Sequence, residues 1–213
     1  MAYNPTTWVD NSAPTVNAEN LNNIEQGIVD VDTRLAALEG AASSAMELIY
    51  EELLASAQAS FDITSIPDSY KHLALIFQAR SDDGAGQDTT WCRINNDSGS
   101  NYYSETLTVY AETTSPVESL GGTQIFTGNV PAAAAPAGAA GSGRLHLPNY
   151  AGTTFQKIIE GLAVNRNGTV STGVRQDHIS GHWLNTAAIN RLTLYPGNGE
   201  FIAGSQVSLY GLL

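Results

Sequence analysis

The sequence predicts a mainly β protein: a short N-terminal coiled-coil helix followed by a β-sandwich or jelly-roll-like C-terminal domain. Three observations lead there. Charged residues make up only 14% of the chain, while glycine, serine, threonine, asparagine and alanine abound. That balance suits many turns and short strands better than a helical enzyme. From residue 48 onward, short apolar runs recur between turn signals, as in two-sheet β domains. Ahead of them, one stretch keeps a seven-residue apolar repeat, the pattern of a helix that packs against copies of itself.

The expected divisions are an extended peg over 1–16, a coiled-coil helix over 17–40, a hinge over 41–47 and a β head over 48–213. The peg contains Pro5, Pro14, Asn4, Asn11 and three threonines, with Tyr3, Trp8 and Val9 as its apolar islands. Such a segment cannot bury a core of its own. An extended chain with aromatic anchors suits docking into a groove on another protein, with Tyr3, Asn4, Pro5, Trp8 and Val9 as the contact residues. A disordered tail is the alternative.

Asn17 is a good helix N-cap, and Glu19 falls in the first turn, where negative charge suits the helix dipole. Leu21, Ile24, Ile28, Val31, Leu35 and Leu38 follow at spacings of 3, 4, 3, 4 and 3, and Gly40 is the expected stop. Residues 17–39 span roughly 35 Å as a helix. Between them lie the polar Asn22, Asn23, Glu25, Gln26, Asp30, Asp32, Thr33 and Arg34, and the stripe is taken as about as wide as a coiled-coil seam, narrower than a face usually buried on a globular core. Leu21, Ile28 and Leu35 take one seam position; Ile24, Val31 and Leu38 take the other. Leucine first and β-branched residues second disfavour two strands and favour three or four. A homotrimer is expected, with packing of the stripe on the β head as the alternative. Gly27 weakens the helix by up to about 1 kcal/mol, so the coil needs help from the head or the docking site.

Strands are predicted at 48–54, 59–63, 72–80, 90–95, 106–112, 122–127, 144–148, 154–164, 173–183, 191–195 and 206–212. Glu51-Glu52-Leu53-Leu54 has good helix propensity, which makes 48–54 the weakest of these. Asn165-Arg166-Asn167-Gly168 reads as a hairpin tip. Residues 130–143 hold five prolines or glycines among many alanines and are expected to form a long exposed loop.

Composition also excludes partners. A net charge of −12, from 9 basic and 21 acidic residues, opposes nucleic acid, which needs clustered Lys and Arg, and opposes an anionic membrane surface. No run approaches the ~20 apolar residues of a membrane span, and the first residues lack the basic and apolar regions of a signal peptide. Synthesis in a reducing cytoplasm is expected. The single cysteine, Cys92, precludes an intrachain disulfide and reads as a small core hydrophobe beside Trp91.

No reactive constellation emerges, so no enzyme, metal or cofactor is expected. His178 and His182 lie four apart beside Asp177, but their strand context separates residues that a helix would bring together. Asp82-Asp83-Gly84-Ala85-Gly86-Gln87-Asp88 lacks the alternating ligands and terminal glutamate of an EF-hand. A nucleophile-elbow pattern is missing, and Asn167-Gly168-Thr169 is a sequon without a secretory route. For glycan contact the candidates are Tyr102, Tyr103 and Tyr110, lying near Asn95, Asn96, Asp97 and Asn101. Core packing of these rings is the competing reading.

Two groups of residues resemble a known class. Tyr3-Asn4-Pro5-Thr6-Thr7-Trp8-Val9-Asp10, followed by Val16-Asn17-Ala18-Glu19-Asn20-Leu21-Asn22-Asn23-Ile24-Glu25, resembles the N-terminal module of many tailed-phage fibre proteins. The β region is similar to a recurring phage structural domain through Ser65-Ile66-Pro67, Tyr70-Lys71-His72-Leu73, Arg93-Ile94-Asn95-Asn96-Asp97, Pro148-Asn149-Tyr150-Ala151, Gly181-His182-Trp183, Thr186-Ala187-Ala188-Ile189 and the Leu209-Tyr210-Gly211 ending. The resemblance implies a trimeric component of the virion surface, a head fibre or decoration spike. Its N-terminus would bind a phage capsid or tail protein and its head would face outward, where it could contact host surface glycan. A tail or baseplate receptor-binding fibre and a lectin-like adhesin are the alternatives.

Overall fold

The computed structural model describes residues 18–41, 45–110, 113–166 and 173–213. The chain divides into two compact units, 1–44 and 45–213. In the first, helix α1 runs over Ala18–Ala41. It passes through Gly40, which the sequence marked as its stop; the glycine is tolerated one residue before the helix ends. On the polar side the Gln26 amide donates to Asp30 at 2.9 Å and the Thr33 hydroxyl to the Val29 carbonyl at 2.8 Å. The peg residues Tyr3, Asn4, Pro5, Trp8 and Val9, the cap Asn17 and hinge residues 42–44 lie outside the described residues.

The second unit is mainly β. Its strands are β1 (Met46–Leu53), β2 (Phe61–Ile63), β3 (His72–Ala79), β4 (Gln87–Ile94), β5 (Tyr102–Tyr110), β6 (Thr113–Gly122), β7 (Ile125–Pro131), β8 (Gly141–Pro148), β9 (Lys157–Arg166), β10 (Val174–Trp183), β11 (Leu192–Pro196) and β12 (Gln206–Leu212). They form two antiparallel sheets, ordered β1-β12-β3-β8-β9-β10-β5-β6 and β2-β11-β4-β7. Setting aside the hairpins β5–β6 and β9–β10 leaves two four-stranded sheets, β1-β12-β3-β8 and β2-β11-β4-β7. This is jelly-roll connectivity. The two hairpins widen one sheet by four strands and leave the other unchanged.

Alternation explains most strands. Along β3, Leu73, Leu75, Phe77 and Ala79 are buried while His72, Ala74, Ile76 and Gln78 point the other way. Its neighbour β8 turns Gly141, Gly143, Leu145 and Leu147 inward. Gly143 carries no side chain because the Phe77 ring fills that space. One core joins both sheets: Phe61, Ile63, Ile94 and Leu194 from the smaller meet Leu75, Phe77, Ile159 and Leu209 from the larger. Burial of each such side chain contributes about 1.5–3 kcal/mol before ordering costs. The Phe61 and Phe201 rings lie 5.3 Å apart, and Cys92 is buried as expected.

The strand predicted at 48–54 forms over 46–53 despite its helix propensity, because β12 offers a full antiparallel partner. Other expectations change. Strand β6 was not foreseen. Its outward residues are exposed almost throughout and Pro116 stands within it, so neither alternation nor composition marks it; an edge strand tolerates both. The 130–143 stretch is no exposed loop. Val130 and Pro131 end β7 and Gly141 begins β8. Between them the chain wraps the Arg80 guanidinium, which donates to the carbonyls of Ala132 and Ala135 at 2.9 Å, Pro136 at 2.8 Å, and Ala133 and Ala139 at 3.3 Å. Ala132, Ala135 and Ala139 are buried there. The Lys157 ammonium does a similar job nearer β10. It is buried and donates to the carbonyls of Gly152, Phe155 and Thr186, and burial lowers its pKa.

Candidate functional site

Two surfaces stand out, one on each unit. On α1, Leu21, Ile24, Ile28, Val31, Leu35 and Leu38 are all exposed, from 49% to 68%. A helix pays the ordering cost of its backbone poorly when its apolar stripe faces water, so this stripe is a surface for covering.

On the head, a groove of about 570 Å³ lies on the outward face of the larger sheet. Sheet register builds it. Tyr103 on β5 stands opposite His182 on β10, which in turn stands opposite Ile158 on β9. One pair along, Ser180 faces Glu105, and Glu105 faces Glu118 on β6. Leu120 and Leu184 close the groove's apolar end. The two glutamates are directly opposed, an unfavourable pairing of like charges. Among the described residues neither is ion-paired.

The structure separates the three candidate tyrosines. Tyr102 is buried in the core, not on a ligand surface. Its hydroxyl accepts from the Ile94 N–H at 3.0 Å and sits within 3.1 Å of the Ile94 and Asp97 carbonyls. Burial is the main cause that pushes its pKa well above the tyrosine range. Its ring stacks near Trp183, centroids 6.5 Å apart. Tyr103 points to the opposite side of β5 and is half-exposed in the groove. Tyr110 shares the inward parity of Tyr102 and pairs with Arg175 at the far end of β5. No tyrosine patch forms.

The neighbouring polar residues are engaged in building turns. Asn95 and Asn96 adopt φ values of 49° and 57°, left-handed conformations that asparagine tolerates. The Asn95 side chain bonds Ala188, Asn190 and Arg191. Asp97 accepts from the Trp183 indole at 2.8 Å, the Asn101 amide at 2.9 Å and the Gly99 N–H at 2.8 Å. Burial alone would raise the Asp97 pKa. The three hydrogen bonds and the Arg93 charge outweigh it, so the carboxyl titrates below its usual range.

The histidine and aspartate constellations likewise resolve into structure. His178 is exposed with its ring nitrogen 2.9 Å from the Gln176 amide. Asp177 points inward, buried, bonded by Thr108 at 2.6 Å and Arg175 at 2.9 Å. Strand alternation thus puts the two on opposite faces. Asp82 accepts from the Glu200 N–H at 2.7 Å and Asp83 from the Ala85 N–H at 3.2 Å. Asp88 is buried and accepts from the Asn198 N–H; desolvation raises its pKa against those bonds. Among the described residues no group of three or more His, Cys, Asp or Glu side chains is placed to hold a metal ion. None of the described helices is long and apolar enough to cross a membrane.

Comparison with known proteins finds no matching family model, no similar curated protein and no similar solved structure. Reasoning from sequence missed the groove because its members come from β5, β6, β9 and β10, and only strand pairing brings them together. The opposed Glu105 and Glu118 had no signal in the chain order, since β6 itself carried none.

Proposed function

We propose that this protein is a structural component of a tailed-phage virion, a homotrimeric head fibre or decoration spike. It docks by its N-terminal residues on a capsid or tail protein and displays its β head outward. The observation that carries the reading is the exposed α1 stripe. Six large aliphatic side chains in heptad register lie open to solvent, and identical helices would cover them by knobs-into-holes packing. The resemblance of the peg and of several head segments to phage fibre modules supports the setting. A tail or baseplate receptor-binding fibre uses the same architecture.

The groove at Tyr103 favours an added role. A half-exposed aromatic ring beside Ser180, Glu105 and His182 offers an apolar face and hydrogen-bonding groups, which is what a sugar ring needs. Three heads on one stalk would turn weak glycan contacts into useful avidity. A free lectin-like adhesin would use the groove alone.

Light scattering of the full chain tests the reading. A trimer is expected, and Ile24→Asp with Leu35→Asp should reduce it to monomer. A wild-type monomer, or a trimer indifferent to both substitutions, overturns the stalk. Deletion of residues 1–16 should abolish incorporation into particles; an adhesin would be indifferent to that deletion.

A further inference from the structure

We infer that the groove at Tyr103 selects an amino sugar, a glycan unit whose amino group is free and carries a positive charge. The inference rests on the glycan reading of that groove given above and names the class of sugar it takes.

Strand register lays the groove out as two neighbouring rows. One runs Ile158, His182 and Tyr103 across β9, β10 and β5. An irregularity in the β5–β6 pairing beside Tyr103 brings Leu120 to its end. The other row runs Ser180, Glu105 and Glu118 across β10, β5 and β6, with Glu160 next in line on β9. The first row offers an aromatic face between aliphatic side chains, the second carboxylates and a hydroxyl. The volume of about 570 Å³ lies within the range of small-molecule sites.

Charge decides the ligand. Directly opposed residues of an antiparallel pair hold their Cβ atoms roughly 5 Å apart, so Glu105 and Glu118 can close on one cation between them. Both are exposed, and among the described residues neither has an ion pair. Arg144 on β8 faces the same side, but it stands diagonal to Glu160 and three strand spacings from β5. That is roughly 14 Å, beyond the ~8 Å screening length in physiological salt. A ligand that brings an ammonium relieves the repulsion between the two glutamates. An acidic sugar adds to it.

Spacing fits the same ligand. Tyr103 and Glu105 are two residues apart on β5 and share its outward side, about 7 Å along the strand. A sugar whose ring stacks on Tyr103 brings its amino group to the carboxylates, where charge-assisted hydrogen bonds form. An acetylated amine has no charge to offer. It covers the carboxylates without pairing them, which costs their desolvation.

Calorimetric titration of the full chain with two tetrasaccharides tests this, at pH 6.5 in physiological salt. One probe is β-1,4-linked glucosamine and the other its fully N-acetylated counterpart. The free-amine probe should bind about tenfold more tightly or better. Glu105→Gln with Glu118→Gln should bring the two affinities together, and Tyr103→Ala should weaken both. A control double, Glu51→Gln with Glu200→Gln, removes the same charge from exposed positions elsewhere on the head and should leave the preference intact. Equal affinities in the unaltered protein, or a preference for the acetylated probe, overturn the inference; loss of both in Tyr103→Ala then leaves the glycan reading standing without it. If the control double erases the preference as fully as the groove double, the chain's overall charge of −12 attracts the probe and the inference falls. Binding of neither probe also overturns it, and a glycan-array signal that Tyr103→Ala removes decides the glycan reading separately.

Discussion

The indole N–H of Trp183, at the end of β10, donates to the carboxylate of Asp97 at 2.8 Å in the turn that follows β4. This bond ties the widened sheet to the smaller one through a buried ring and a charged acceptor. Trp183→Phe keeps most of the apolar volume and removes the donor. It should cost about 1.5–3 kcal/mol, the range for a hydrogen bond to a charged group, read as a lower midpoint in urea.

The same carboxylate gives the fold an acid limb. Asp97 titrates below the ordinary aspartate value of 3.8, and so does Asp62, where burial is outweighed by bonds from Arg191 and Thr193 and by the Arg191 charge. Groups depressed on folding bind fewer protons in the folded state. Their stabilisation is full above the unfolded value and is lost as pH falls through the folded one. Melting temperature should therefore fall below about pH 4, and Asp97→Asn should flatten that fall. A scan of melting against pH in both proteins measures it.

Arg80 organises five backbone carbonyls. Arg80→Ala should cost at least about 2 kcal/mol and expose residues 132–140 to limited proteolysis. Arg80→Lys should recover only part, because an ammonium lacks the planar fork.

Adjacent tyrosines should behave oppositely. Tyr103→Ala should leave stability within about 0.5 kcal/mol and abolish any glycan-array signal. Tyr102→Phe leaves the buried Ile94 N–H without its hydroxyl partner and should cost about 1–3 kcal/mol without changing that signal.

Cys92 is buried, and burial pushes its thiol up to about 12. The thiolate is the reactive form, so an aromatic disulfide reagent should label the native protein negligibly at pH 8 and stoichiometrically in denaturant.

Legibility in the sequence followed burial. Strands with one face in the core, such as β3 with Leu73, Leu75 and Phe77, announce themselves by alternation. The seam from Leu21 to Leu38 is legible because its period is held without error. Strand β6 is not, since neither of its faces is covered within the head and nothing constrains Thr114, Ser115 or Ser119 to alternate. Strands β5, β9 and β10 are legible, with a hairpin tip at 165–168 between the last two, but their place in one sheet depends on pairings far apart in sequence, such as Ile179 with Thr106. For the site, Tyr102 and Tyr103 look alike in the chain, and one step of pleat decides which is core and which is surface.

The hold of Arg80 on main-chain oxygens sets what evolution can change nearby. Every residue type supplies the same carbonyl, so the path from 132 to 140 does not depend on which side chains it carries. Ala132, Ala135 and Ala139 are hemmed in and must stay small, but Ala133, Ala134, Ala137 and Ala140 face solvent. Those four positions can drift or diversify while their backbone keeps its shape, a rigid frame for an interchangeable surface.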